Sequence, residues 1–93
     1  MQRHFATILA AANVGVDINT VADRRHRPPQ NLKQLAQAIR DSVICSLPEE
    51  EYESFEAEEE WYMDSHSYDP KIEMRETLEM CGVKNSKLYD EVP

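Results

Sequence analysis

Apolar residues recur at helical spacing at the start of the chain, and a glycine then separates two predicted helices. Gly15 can adopt the positive φ that ends a helix sharply. Asp17 suits the N-cap of a second helix over about 18–26, because its carboxylate can accept a hydrogen bond from the amide of residue 19 or 20. The first helix, over 4–12, is predicted by four residues at the i, i+3, i+4, i+7 spacing of one face: Phe5, Ile8, Leu9 and Ala12.

The longest regular apolar stripe follows two adjacent prolines. Pro28 and Pro29 end the preceding helix, because a proline pushes the residue before it out of the helical region. The stripe predicts an amphipathic helix over about 30–45 that packs one face into the core. Its members recur at helical spacing: Leu32, Leu35, Ala36, Ile39 and Val43.

The second half begins with the signature of a new helix and then becomes strongly acidic. Ser46, Pro48 and Glu49 fit a capping box with proline in the first turn. Eight glutamates fall within 49–60 with no lysine or arginine among them, so like charges repel at i, i+4 spacing. Aromatic residues interrupt the acids at irregular helical spacing: Tyr52, Phe55, Trp61 and Tyr62.

A last helix is predicted between Pro70 and Gly82. Asp69 and Pro70 suit the cap and the first position of a helix, and Gly82 suits its end. Residues 64–69 are expected to form the loop before it. The polar tail after Gly82 is expected to fray. Three tail residues could dock on another subunit: Leu88, Tyr89 and Val92.

Three segments of the first half are arranged as in a helix-turn-helix unit. They are Ala11-x-x-x-Gly15-Val16, then Thr20-Val21, then Arg27-Pro28-Pro29-Gln30-Asn31-Leu32-Lys33-Gln34-Leu35-Ala36-Gln37-Ala38-Ile39. This pattern resembles the Cro/repressor-like helix-turn-helix proteins, often called the XRE class. The last segment looks like the helix that follows the recognition helix in that family.

The resemblance implies a set of DNA-contacting residues. Asp23 would accept a hydrogen bond from a cytosine amine, and it would face base edges in the major groove together with Asn19 and Thr20. The phosphate contacts would come from four basic residues: Arg24, Arg25, Arg27 and Lys33.

The net charge of −8 argues against nucleic-acid binding, which is driven by the neutralisation of phosphates. The distribution of charge changes that inference. Residues 1–47 contain six lysines or arginines and three acidic residues. Residues 48–93 contain four lysines or arginines and fifteen acidic residues. A basic first half and an acidic second half indicate two surfaces with different partners.

The acidic stretch itself has two interpretations. In one, it is a solvated surface helix whose aromatic residues pad a small core. In the other, it is an interaction surface, because large aromatic residues beside charge make good interface anchors, and mimicry of DNA is one version. The predicted partner-binding residues are Tyr52, Phe55, Glu58, Glu59, Glu60, Trp61 and Tyr62.

The remaining patterns exclude several classes of site. Cys45 and Cys81 lie far apart and are expected to pack as small hydrophobes. The histidines share no ligand spacing, and no nucleophile–base pair or glycine-rich phosphate loop is found, so no metal, cofactor or enzymatic activity is predicted. The absence of a long apolar run or secretion signal predicts a cytoplasmic protein without a membrane partner.

Together these patterns predict an all-α protein, a small bundle of about five helices with a helix-turn-helix in its N-terminal half. Residues 1–47 would form the helix-turn-helix-like unit, and residues 48–93 an acidic helical extension for dimerisation or partner binding. The predicted function is a small transcription regulator, a repressor or antitoxin-like factor of phage type, that binds double-stranded DNA as a homodimer. The alternative is an acidic, non-enzymatic inhibitor or adaptor, of DNA-mimic or anti-defence type, that binds a basic protein surface.

Overall fold

The computed structural model describes residues 3–24, 26–64 and 70–92, and all regular structure in these ranges is helical. The predicted all-α bundle of five helices is therefore confirmed, with a short 3-10 helix added near the end. The α-helices are α1 (Arg3–Asn13), α2 (Ile18–Ala22), α3 (Leu32–Ser46), α4 (Glu49–Asp64) and α5 (Pro70–Met80), and the 3-10 helix is Ser86–Tyr89.

Helix α1 lies in the interior and organises the rest of the chain. Seven consecutive residues, from Phe5 to Ala11, are buried, so α1 has no solvent-facing side over two turns. A helix that is apolar on all sides belongs inside a protein. The four other α-helices all pack against it. The buried face is thus wider than the single stripe predicted from Phe5, Ile8, Leu9 and Ala12, and Ala12 itself is only half-buried.

Both glycines of the chain end a helix in the same way. Gly15 has a φ of 87° and Gly82 has a φ of 76°, so both occupy the left-handed region that side chains disfavour. The residue after each glycine donates its amide to a carbonyl five residues earlier at 3.0 Å, as in a Schellman motif. These bonds run from Val16 to Ala11 and from Val83 to Leu78. The predicted helix ends at Gly15 and Gly82 are confirmed.

Helix α2 is much shorter than the predicted span of 18–26. Its predicted N-cap is confirmed, because the Asp17 carboxylate accepts the Thr20 amide at 3.1 Å. The helix stops at Ala22, where the Asp23 amide closes the last turn on the Asn19 carbonyl. The described residues that follow are polar and exposed up to the prolines, so no apolar face holds a further turn against the core.

Helix α3 matches its predicted stripe, with all five apolar residues buried. Its N-cap is Asn31, whose side chain accepts the Gln34 amide at 2.8 Å. The helix continues through Ser46, so Ser46 is the last residue of α3 and not the cap of α4. Helix α4 begins directly after Pro48, at Glu49.

The predicted fraying of the C-terminal tail is wrong. The tail forms the 3-10 helix Ser86–Tyr89, and three of its apolar residues are buried in the core of this chain. The Tyr89 hydroxyl donates to the Val83 carbonyl at 2.6 Å, and the side-chain amide of Asn85 donates to the Pro29 carbonyl at 3.2 Å. The buried tail residues are Val83, Leu88 and Val92.

The two halves of the chain, residues 1–47 and 48–93, share one hydrophobic core. Buried residues from α1 through the C-terminal tail form a single cluster that runs from Phe5 to Val92. Helices α4 and α5 of the second half both pack on α1 of the first. Cys81 is half-buried beside this core, but Cys45 is exposed, so the prediction that both cysteines pack as hydrophobes is wrong for Cys45.

Some predictions fall outside the described residues. The loop over 64–69 does so except for Asp64, which is the last residue of α4. The Asp69 cap and the Arg25 phosphate contact also lie outside the described ranges.

Docking of the tail can be tested by shortening the side chain of Leu88, which is fully buried. We expect Leu88→Ala to lower the free energy of unfolding by about 2 to 5 kcal/mol, because it removes a core side chain and leaves a cavity. The matched control is Met80→Ala, at a side chain that is 87% exposed, which should change stability by less than about 0.5 kcal/mol. Urea denaturation of both variants measures the difference. Equal stabilities would show that the tail does not dock.

Candidate partner-binding surface on the acidic helix

Helix α4 has an inner and an outer face of different character. The inner face presents Phe55 and Glu59, which are 1% and 2% exposed. The outer face carries a row of exposed carboxylates that extends over roughly 22 Å at 1.5 Å per residue. This row, the acidic stripe, consists of residues at the i, i+4, i+7, i+11, i+15 spacing of one helix face: Glu49, Glu53, Glu56, Glu60 and Asp64.

The buried carboxylate of Glu59 is held by donors from two other helices. From α1, the Thr7 hydroxyl donates to Oε2 at 2.6 Å and Arg3 Nη2 donates to Oε1 at 2.9 Å. From α3, Arg40 Nη1 donates to the two oxygens at 2.8 and 2.7 Å. Burial of a charge is tolerated only when it is paired and hydrogen-bonded in this way. The network therefore fixes which side of α4 faces inward.

Two of the predicted partner-binding residues are consequently inside the protein. Phe55 belongs to the core, and Glu59 is saturated by internal donors, so neither presents its side chain to a partner. Tyr52 is half-buried against Phe55, with ring centroids 6.4 Å apart. The predicted residues that remain accessible are Glu58, Glu60, Trp61 and Tyr62.

The acidic stripe is not neutralised by the described part of the chain. The ion pairs found there use the carboxylates of Glu59, Glu79 and Glu91, and none of them involves a member of the stripe. Like charges at i, i+4 spacing each cost a few tenths of a kcal/mol. Helix α4 thus maintains a charge pattern that lowers its own stability.

An aromatic recess lies beside the stripe. Trp61 is 58% exposed and meets Tyr62 edge-to-face, with ring centroids 5.0 Å apart and an interplanar angle of 85°. The two rings line an open recess of about 460 Å³ together with Asn13, Ala57 and Glu58. The Tyr62 hydroxyl is bonded to the Asn13 amide at the end of α1.

Two carboxylates act on the Tyr62 hydroxyl at the recess. Burial raises the pKa of the Tyr62 hydroxyl above its ordinary value, and the nearby Glu58 and Glu73 carboxylates raise the pKa further. The hydrogen bond from Asn13 acts in the opposite direction. The described lining of the recess therefore places a carboxylate beside two aromatic rings, an arrangement that attracts a positively charged group.

The predicted DNA-contacting residues include the lining of two different recesses. Asn19 and Asp23 line a small cleft whose other wall is Lys84 and Asn85 of the C-terminal segment. The Thr20 hydroxyl donates to Asp17 at 2.7 Å. Lys33 lines a different recess, beside Arg3 and Arg40. Two further predicted residues, Arg24 and Arg27, are exposed.

Sequence reasoning missed the residues that orient α4. Arg3, Thr7 and Arg40 are separated from Glu59 by 56, 52 and 19 positions, so no local spacing relates them. A weak signal was present, because Arg3 and Thr7 are polar residues one turn apart on the same face of a mostly apolar helix.

No helix in the described ranges is long and apolar enough to cross a membrane. Among the same residues, no group of three or more histidine, cysteine or acidic side chains is placed to hold a metal ion. Comparison with known proteins gave no match to a family model, a curated protein or a solved structure. The resemblance to the XRE class therefore stays a prediction.

The orienting role of Glu59 can be tested with an isosteric substitution. We expect Glu59→Gln to lower the free energy of unfolding by about 3 kcal/mol, because it leaves Arg40 without its carboxylate. That figure is at the lower end of the cost expected for breaking a buried ion pair, since the Arg3 side chain is two thirds exposed and can be solvated. Chemical denaturation measures the effect.

The neighbouring glutamate provides the control. Glu60→Gln removes the same charge from the exposed stripe, so it should leave stability unchanged or raise it by less than about 0.5 kcal/mol. Equal effects of the two substitutions would contradict the burial of Glu59.

Proposed function

We propose that this chain is a non-enzymatic acidic binding module, an adaptor or inhibitor, that binds a basic protein surface through the acidic stripe and the adjoining Trp61. The observation that carries the proposal is the outward orientation of the stripe. The five carboxylates of the stripe point away from the core, whereas Glu59 on the same helix is held inward by two arginines.

The charge and the aromatic residue have complementary roles in such an interface. A row of uncompensated carboxylates attracts a basic partner over a distance and accelerates association. Most binding energy at interfaces comes from a few large side chains, among which tryptophan is prominent. Trp61 lies within one turn of Glu60 and Asp64 on the same helix, so both contributions can act on one partner.

Strict mimicry of DNA has less support than binding to a basic protein surface in general. Carboxylates along the stripe are separated by roughly 5 to 6 Å of helix axis. Duplex DNA carries one charge per about 1.7 Å of its axis. The stripe is therefore a sparse line of charge, which matches a cluster of lysines and arginines better than it reproduces a duplex.

The predicted DNA-binding function also has less support in this geometry. Helix α2 has five residues, which is a length of roughly 7.5 Å, whereas a recognition helix must present several side chains to base edges. Of its predicted base-reading residues, Thr20 is bonded to Asp17, and Asn19 lines a cleft together with Lys84 and Asn85. Binding to DNA stays a prediction that the following experiment also addresses.

The proposal predicts that the arrangement of charge, and not the net charge, determines binding. The probe is a labelled peptide rich in lysine, arginine and leucine, followed by fluorescence anisotropy. We expect the combined change Glu53→Lys, Glu56→Lys and Glu60→Lys to weaken binding by roughly tenfold or more, because three favourable pairs of a few tenths to 1 kcal/mol each are lost. Glu59 is left unchanged so that the fold is preserved.

The control variant makes the same change in net charge at dispersed exposed sites. Asp41→Lys, Glu76→Lys and Asp90→Lys lie on α3, on α5 and after the 3-10 helix, and this variant should keep most of the affinity. Equal losses in the two variants would contradict a specific stripe. Random-sequence duplex DNA is titrated in parallel, and micromolar binding that weakens steeply with salt would favour the DNA-binding prediction instead.

A further inference from the structure

We infer that the aromatic recess formed by Asn13, Ala57, Glu58, Trp61 and Tyr62 is a pocket for one cationic side chain of the partner, an arginine guanidinium or a lysine ammonium. The inference deepens the proposed function, since it supposes a basic partner. It adds the place on the surface where a single residue of that partner is anchored.

The two rings supply the first element of such a pocket. A cation within about 6 Å of a ring centroid is attracted by the negative face of the ring, and tryptophan is the best partner for it. Trp61 and Tyr62 stand at 85° to each other with centroids 5.0 Å apart, so they form two walls of a corner. Both rings line the same open recess.

A carboxylate supplies the second element. Glu58 lines the recess and accepts a long hydrogen bond of 3.4 Å from the Asn13 amide on its Oε2. The same amide is bonded to the Tyr62 hydroxyl, so Asn13 connects the carboxylate to one of the rings. The other carboxylate oxygen of Glu58, Oε1, can accept a hydrogen bond from a guanidinium, because no described donor bonds to it. Aromatic faces beside a carboxylate favour a cation over a neutral group of the same shape.

The size of Ala57 supplies the third element. Ala57 is exposed and belongs to the outer half of α4, where it lies between Glu53 and Trp61 along the helix. Its small side chain leaves the recess open next to the acidic stripe. A basic segment that follows the stripe can therefore place one of its side chains in the recess without leaving the helix surface.

The chain contains a single tryptophan, so Trp61 itself reports on occupancy. The experiment titrates N-acetyl-arginine amide at constant ionic strength and follows Trp61 fluorescence and the indole N–H resonance. N-acetyl-citrulline amide, which has nearly the same shape without the charge, is the matched ligand. We expect saturable binding in the millimolar range for the arginine compound and at least several-fold weaker binding for citrulline.

Two substitutions locate the binding. Glu58→Gln should weaken the arginine compound by about two- to fivefold, because it removes a charge near the cation. Ala57→Leu should weaken it more strongly by filling the recess without altering charge. As a control, Asp90→Asn removes a charge from an exposed position outside α4 and should change the affinity by less than about twofold. Circular dichroism verifies that each variant is folded.

The outcomes separate this inference from the proposed function. Equal binding of arginine and citrulline compounds, or full binding by the Ala57→Leu variant, would overturn the pocket even if the basic peptide still requires the stripe. Arginine-selective binding that Ala57→Leu and Glu58→Gln weaken would support the pocket, even if charge reversal in the stripe has no effect on the peptide.

Discussion

The buried carboxylate of Glu59 is the interaction on which the outer surface depends. Phe55 is the one fully buried apolar residue of helix α4 in the described chain, and Tyr52 and Tyr62 pack partly against the core beside it. This apolar face and the bonds from Arg3, Thr7 and Arg40 to Glu59 together set the rotation of the helix about its axis. Because those bonds turn Glu59 inward, the acidic stripe on the other side of the helix is turned outward.

The central helix explains why the two halves form a single folded unit. Helix α1 is buried from Phe5 to Ala11 and cannot be covered by the first half alone. Helices α4 and α5 and the C-terminal tail complete its shell, and Leu88 of the tail is fully buried in the same core. A small domain with one core needs most of its apolar residues in that core to be stable. The acidic half is thus structural on its inner side and free to bind on its outer side.

Local patterns predicted the parts of the structure that depend on neighbouring residues. The turn at Gly15, the Asp17 cap and the apolar stripe of α3 follow from conformational preference and helical periodicity. The inward position of Glu59 does follow helical spacing, because Glu59 lies one turn after Phe55 on the aromatic face of α4. Its donors could not be predicted, because they come from α1 and α3, far away in the sequence. The docked tail was missed for a related reason, since its apolar residues follow neither helical nor strand periodicity.

The most direct test is to map, by amide chemical shifts, where a basic peptide rich in lysine, arginine and leucine contacts the intact chain. Binding through the outer face of α4 predicts perturbations concentrated over residues 49–64 and at the Trp61 indole, with little change in α2 or at Lys33. Perturbations spread evenly over the surface, or absent from α4, would contradict the assignment of this helix as the binding face.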